Sequence, residues 1–433
     1  MKVMIISAGF LPMSPVGPAY IAGAALSQGH EVRVFDCLFH GEDKNRLEKD
    51  LALFNPDAVA VSIPVTTIPF RQISGTPEAE DTKPKIKALV DTVKRKSRAR
   101  IIAGGSGFNF FSEDWLAFLE IETGLRGESE ASFPLLLSRL SRGEPLTGIP
   151  GSVIMKGDRV LAEPGDAIEN LDAVAMPAYE LFDTEQYNGM KIPWGISTKR
   201  GCSFECIHCS AGMDFRYRLK SPARVAEEIK YVMRVTGSKR VNFSDNSFNC
   251  PITHAKSVCR QIIDQGLEVR WRSGTFKPLG FSREFCSLLK ASGCSFVGLA
   301  METGSPRMLS NLNRGYRVED IITALDNLRD SGMDFGVSIL VGAPGETMAS
   351  VRETIRLVDE YPEIKAVWVN IGVFGWRQRG LKDTGAGRGD AGSLFENPYF
   401  LSPELDEEDM EDLIDDLSLR SNFLIQVNCP WPS

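Results

Sequence analysis

The chain has 433 residues, 43% of them hydrophobic and 24% charged, which is the balance of a soluble globular protein too long for one ordinary core. A formal net charge of −8 without a long basic run lacks the electrostatic footprint of a nucleic-acid binder, so no nucleic-acid partner is expected. Nine cysteines without a secretory pattern do not look like an extracellular disulfide framework, and a cytoplasmic setting is expected. Met1 to Phe10 is apolar but too short to span a bilayer, and it reads as a strand; no membrane association is expected.

From Met1 to about Ser141, short apolar runs alternate with helical patterns. Strands are predicted at Lys2–Ser7, Glu31–Phe35, Ala58–Ser62 and Arg100–Ala103, with helices near Pro18–Gln28, Lys44–Leu53 and Lys85–Lys96. A weaker unit follows at Ile121–Leu125, then a helix through Leu140. Strand–helix alternation of this kind predicts a doubly wound parallel sheet. Ligands in such sheets bind beyond the carboxyl ends of the strands, here Ser7-Ala8-Gly9, Ser62-Ile63-Pro64 and Gly104-Gly105-Ser106-Gly107. Small residues there let a large group approach, although glycine and serine are also ordinary turn residues. The polar stretch Arg71 to Lys85 is predicted as a long loop. Residues 152–162 predict a hairpin turning at Gly157-Asp158, and the stretch to Met190 predicts a surface linker.

The cysteines Cys202, Cys206 and Cys209 then fall within nine residues, spaced C-x3-C-x2-C on a loop behind the apolar strand Trp194–Thr198. Iron–sulfur cubanes usually take four cysteines, so three on one loop suggest a cluster with one open iron. A zinc site would need a fourth ligand such as Cys250 or Cys259. The remaining cysteines read as buried free thiols, and Cys429 lies near the end of the chain. Beyond the loop, strands are predicted at Arg240–Ser244, Leu267–Trp271, Ser295–Met301, Phe335–Val341 and Ala366–Ile371, making six with Trp194–Thr198. Helices between them are predicted near Ala223–Val235, Thr253–Gln265, Arg283–Ala291, Glu319–Asp330 and Ser350–Glu360. An acidic helix, Glu404 to Leu419, follows with Ser402 as its candidate cap. Arg272, Lys277 and Arg314 are candidates to meet a carboxylate, with solvated surface charge as the plainer reading, and His40 reads as a surface histidine.

The strand, the cysteine loop and the six-strand pattern resemble the radical S-adenosylmethionine (SAM) enzymes. Pro18–Ala24, Gly29–Val32, Asp57–Ser62, Gly104-Gly105 and Arg126-Gly127-Glu128 resemble the cobalamin-binding domain of one branch of them, and Leu171–Tyr179 resembles that branch's linker. The resemblance implies an α/β chain in four parts. Residues 1–145 would form a Rossmann-like cobalamin-binding domain, 146–190 a hairpin and linker, 191–385 a partial (β/α)6 barrel and 386–433 a short helical tail. The loop Phe10 to Gly17 holds no histidine, so a corrin without a lower histidine ligand is implied.

The same resemblance assigns the site. Cys202, Cys206 and Cys209 would hold a 4Fe-4S cluster. Phe204, His208, Asp245, Asn246, Glu302, Ser338 and Gly342 would surround SAM, with Glu302 accepting ribose hydroxyls and the Gly342 backbone approaching adenine. His208 stands where the family usually has an aromatic residue near adenine, and no acid–base role is assigned to it. Asp245 is read equally as a helix cap. Gly9, Gly17, Ser62, Gly104, Gly105 and Glu128 would line the cobalamin site. The implied activity is reductive cleavage of SAM to a 5′-deoxyadenosyl radical, hydrogen abstraction from a carbon of a small-molecule substrate, and methyl transfer from methylcobalamin. An electron donor such as flavodoxin or ferredoxin would serve it. Radical cyclisation or rearrangement is the alternative, and a metal-stabilised binding or electron-carrier module is the non-enzymatic one.

Overall fold

The structure, a computed structural model, describes residues 1–41, 43–65, 71–72, 81–157, 159–209, 216–374 and 399–427. The chain divides into two compact units. The first comprises Met1–Pro69, Glu80–Gly195 and Lys230–Ser238; the second comprises Phe70–Ala79, Ile196–Ile229 and Lys239–Ser433. Among the described residues no helix is long and apolar enough to cross a membrane.

The first unit is built on a seven-stranded sheet in the order Glu31–Asp36, Lys2–Ser7, Ala58–Ser62, Arg100–Gly104, Thr123–Leu125, Ser152–Lys156, Arg159–Ala162. The first five strands are parallel, as their continuous apolar runs predict. The last two are antiparallel. The hairpin, read from sequence as a piece apart, therefore extends the sheet from its Thr123–Leu125 edge. The stretch after it differs from the expected surface linker as well. Leu171, Ala178, Tyr179 and Tyr187 are all buried, because Ala178 N–H donates to the Ala19 carbonyl (2.9 Å) and Tyr187 O–H to Asp36 (2.7 Å). Gly23 lies so close to the Met176 carbonyl that a side chain there would collide with it, and this seats the linker on helix Val16–Ser27. His40 closes the short helix Cys37–His40, and its ring lies 5.5 Å from that of Phe35.

The second unit holds an eight-stranded sheet in the order Arg71–Gln72, Phe423–Val427, Val367–Ile371, Phe335–Val341, Cys294–Glu302, Arg270–Phe276, Arg240–Phe243, Trp194–Ile196. The six expected strands occur in consecutive order, the order a partial barrel requires. Two additions were not expected: Phe423–Val427, parallel to Val367–Ile371, and antiparallel Arg71–Gln72 on its far side. The strand predicted at Leu267–Trp271 instead runs Arg270–Phe276. Its polar centre, Ser273-Gly274-Thr275, hides it from an apolar-run reading, while Gly274 and Gly298 let the adjacent strands approach. Trp271, Phe243, Phe248 and Phe276 pack ring against ring in this core. The acidic helix runs Glu407–Ser418 and is capped by Asp406, whose carboxylate accepts from Glu408 N–H; Ser402 is not its cap. Cys37, Cys259, Cys286 and Cys294 are buried free thiols, with burial pushing Cys259 up to about 12 and Cys286 to about 11. Cys429 lies outside the described residues.

Candidate active site

The cysteine loop leaves the first strand of the second sheet and is fixed at its root by Asp245. This buried carboxylate accepts from Thr198 N–H (2.7 Å), Thr198 Oγ1 (2.6 Å) and Lys199 N–H (3.3 Å). Burial raises its pKa against those donors and the Lys199 charge. Lys199, itself buried, spends its ammonium on the carbonyls of Phe248 (2.7 Å) and Cys250 (2.8 Å). Asp245 thus braces the residues before Cys202, and it caps no helix. Asn246 beside it is exposed. In the loop Cys202 is half-buried, Cys206 buried and Cys209 exposed, and Cys209 N–H donates to the Cys206 carbonyl at 3.2 Å.

The connection between helices Pro306–Asn311 and Val318–Ser331 backs this loop. Ile207 N–H donates to the Leu312 carbonyl (3.2 Å), Asn313 Nδ2 to the Glu205 carbonyl (3.0 Å), and Gly315 lies under the Phe204 ring. Arg314, with 1% of its side chain exposed, stands at the centre. Its guanidinium donates to Cys206 Sγ (3.1 Å), Glu302 Oε1 (3.2 Å), the Ala300 carbonyl (3.2 Å) and Tyr316 Oη (2.8 Å), and lies 3.4 Å from His208 Nε2. One buried cation therefore bridges a loop cysteine and the carboxylate at a strand end. The plainer reading of Arg314 as surface charge is corrected here: its partners are remote in sequence, so the local pattern N-R-G carried no sign of burial. Lys277 is corrected likewise, being buried with its ammonium 5.5 Å from the Phe204 ring centroid.

Glu302 follows a bulge in strand Cys294–Glu302 and holds φ at +64°, a costly conformation for a side chain larger than glycine. Thr354 Oγ1 fixes the next turn by accepting from Gly304 N–H at 2.9 Å. Burial raises the Glu302 carboxyl, but the Arg314 charge, with His208 and Lys277 beside it, outweighs burial and holds it below the ordinary value. Burial pushes the His208 imidazole down to about 4 despite Glu302, with Arg314 and Lys277 acting the same way. The ring is neutral at neutral pH, where it offers a flat face and no acid.

Strand Phe335–Val341 carries half-buried Ser338 and ends at Gly342 (φ +97°). There the buried Glu346 carboxylate accepts from Gly342 N–H (2.6 Å) and Ala343 N–H (3.2 Å). Burial nonetheless pushes this carboxyl up to about 7. Sequence reasoning passed over Glu346; a carboxylate four residues after a strand-end glycine is the signal that was available.

In the first unit, register sets Ser7 beside Ser62 and Ser62 beside Gly104, so three of the small carboxyl-end residues lie in one row. Side chains at Gly9 or Gly17 would meet nothing within 4 Å, whereas Gly105 (φ +103°) and Gly107 are required by the backbone of Ile63-Pro64. Glu128 accepts from Ile168 N–H at 3.0 Å.

Residues 196–358 match the Radical SAM superfamily. The matched region runs from the cysteine-loop strand into the helix after Gly342. An uncharacterized methyltransferase of Pyrococcus horikoshii is 29% identical over 349 residues, 79% of this chain and 72% of that protein. The anaerobic magnesium-protoporphyrin IX monomethyl ester cyclase of Rubrivivax gelatinosus is 22% identical; the alignment covers 82% of this chain and 63% of the cyclase's length. Among solved structures, the radical SAM methyltransferase TsrM of Kitasatospora setae, with cobalamin and a 4Fe-4S cluster bound, shares the fold. Its TM-score is 0.72 at 22% identity, covering 86% of this chain and 72% of that one.

In radical SAM terms the donor set suits the cluster. Cys202, Cys206 and Cys209 are three thiols from one loop that would leave one iron of a cubane open, and Arg314, 3.1 Å from Cys206 Sγ, would offset thiolate charge. Among the described residues no three Cys, His, Asp or Glu side chains could share a single metal ion. Ligands of a four-iron cluster need not meet at one point, since each holds a different iron.

Proposed function

We propose that the chain is a cobalamin-dependent radical SAM methyltransferase acting on a carbon of a small molecule. In this reading residues 1–145 bind the corrinoid, 146–190 connect, 191–385 form a partial (β/α)6 barrel around the cluster and SAM, and 386–433 form a short helical tail. When bound, the cluster supplies the electron that cleaves SAM and the corrinoid supplies the methyl group. The protein's own part is to hold and shield. Cys202, Cys206 and Cys209 anchor the cluster, with Asp245 bracing the loop root. Glu302, kept ionised by Arg314, accepts the ribose hydroxyls of SAM. Phe204, neutral His208, Asn246, Ser338 and the turn at Gly342 wall the rest of its site. Gly9, Gly17, Ser62, Gly104, Gly105 and Glu128 edge the corrinoid site.

The observation that carries this reading is the buried Arg314 joining Cys206 to Glu302. The row of small residues at the carboxyl edge of the first sheet supports the corrinoid. The test is anaerobic reconstitution with iron, sulfide and hydroxocobalamin, then gel filtration and an absorbance spectrum. Near-equimolar corrinoid is expected; an iron–sulfur spectrum without corrinoid would remove the argument for methylation. Cys206→Ala should abolish SAM cleavage, and an unchanged rate would sink the enzyme mechanism. The cyclase relative favours a second reading, ring closure by the same architecture. Production of 5′-deoxyadenosine without S-adenosylhomocysteine would select it. An electron donor of the flavodoxin or ferredoxin kind and a cytoplasmic setting complete the proposal.

A further inference from the structure

The turn Gly342–Glu346 is held from two sides. From within, Glu346 takes the N–H groups of Gly342 and Ala343. From outside, the chain returns after the sixth strand: Phe400 pairs antiparallel with Val373, and Ser402 N–H donates to the Gly342 carbonyl at 2.9 Å. The Ser402 hydroxyl donates to the Glu346 carbonyl at 2.9 Å, and Ser402 is 1% exposed. The Leu401 side chain occupies the space a Cβ at Gly342 would need. Phe400 packs on the apolar group Met308, Leu312, Leu340, Ala343 and Val373, on which Ile207 of the cysteine loop also rests. Both backbone polar groups of Gly342 are therefore committed within the protein.

We propose that Phe400-Leu401-Ser402 is a strap that sets the nucleoside half of the SAM site, with Ser402 as its positioning residue. The inference rests on the reading that the Gly342 turn faces adenine. Ser402 touches no reacting atom; it fixes the turn whose shape the adenine meets. Losing one hydrogen bond to a buried carbonyl leaves the turn free to shift, and the net worth of such a bond corresponds to an affinity loss of about 2- to 10-fold.

The test measures dissociation constants of cluster-loaded protein for SAM and for 5′-methylthioadenosine, which has the nucleoside without the amino-acid part that chelates iron. Ser402→Ala should weaken both ligands by the same factor, about 5-fold. Ser402→Thr should restore them, and iron content and urea midpoint should match the wild type. Unchanged affinities in Ser402→Ala would overturn the proposal, as would a loss for SAM that spares methylthioadenosine. Wild-type protein that carries the cluster yet binds neither ligand would instead overturn the SAM-site reading on which the strap depends.

Discussion

Replacing Arg314 by Met removes the guanidinium while keeping an unbranched side chain in its place. The structure fixes what is lost: a 3.2 Å contact to Glu302, whose side chain is 14% exposed, and bonds to the Ala300 carbonyl, Tyr316 and Cys206. Breaking a buried ion pair from one side costs about 3–5 kcal/mol, because the remaining charge is left uncompensated. Glu302→Gln is milder, since Arg314 retains its other acceptors and loses one charged hydrogen bond worth about 1.5–3 kcal/mol. In the double variant no charge is stranded on Glu302, so its cost should fall short of the sum by about 2 kcal/mol. The pH dependence carries a second signature. In the wild type the Glu302 carboxyl is held low, so its stabilisation is present above its unfolded pKa and lost as pH falls through the folded one. Without Arg314, burial raises that carboxyl, and its contribution is instead lost as pH rises. Urea midpoints of the four proteins between pH 4 and 8 measure both effects. Costs that add within about 0.5 kcal/mol, or one pH slope for wild type and Arg314→Met, would refute the bridge.

Glu346 gives a related test away from the cysteines. Its carboxyl is pushed up to about 7, so its contribution to stability is full below the unfolded value and is lost as pH rises toward and past 7. Glu346→Gln should remove up to about 3 kcal/mol of that pH dependence, and a variant as pH-sensitive as the wild type would contradict it. Asp245→Ala should loosen the loop root at Thr198 and lower the iron retained per chain after reconstitution; full iron retention would show that the brace is dispensable.

The sequence alone determined what depends on neighbours in the chain. Three cysteines within nine residues share one loop wherever the fold puts them, and continuous apolar runs between helices specify parallel strands. Glu302 was legible for the same reason, as a carboxylate closing an apolar strand. Tertiary structure decided what depends on partners far along the chain. Arg314 and Cys206 are 108 residues apart, and only their meeting distinguishes a buried bridge from a solvated arginine. Asp245 looked equally like a cap or a cofactor ligand until Thr198, 47 residues away, took both its oxygens. Ser402 sits where a helix cap would, yet its hydroxyl bonds a carbonyl 56 residues earlier. The hairpin at residues 152–162 and the strand Phe423–Val427 read as appendages because pairing to a sheet edge leaves no trace in local composition. A polar side chain shows what it is in the sequence; its burial and its partner are properties of the packed chain.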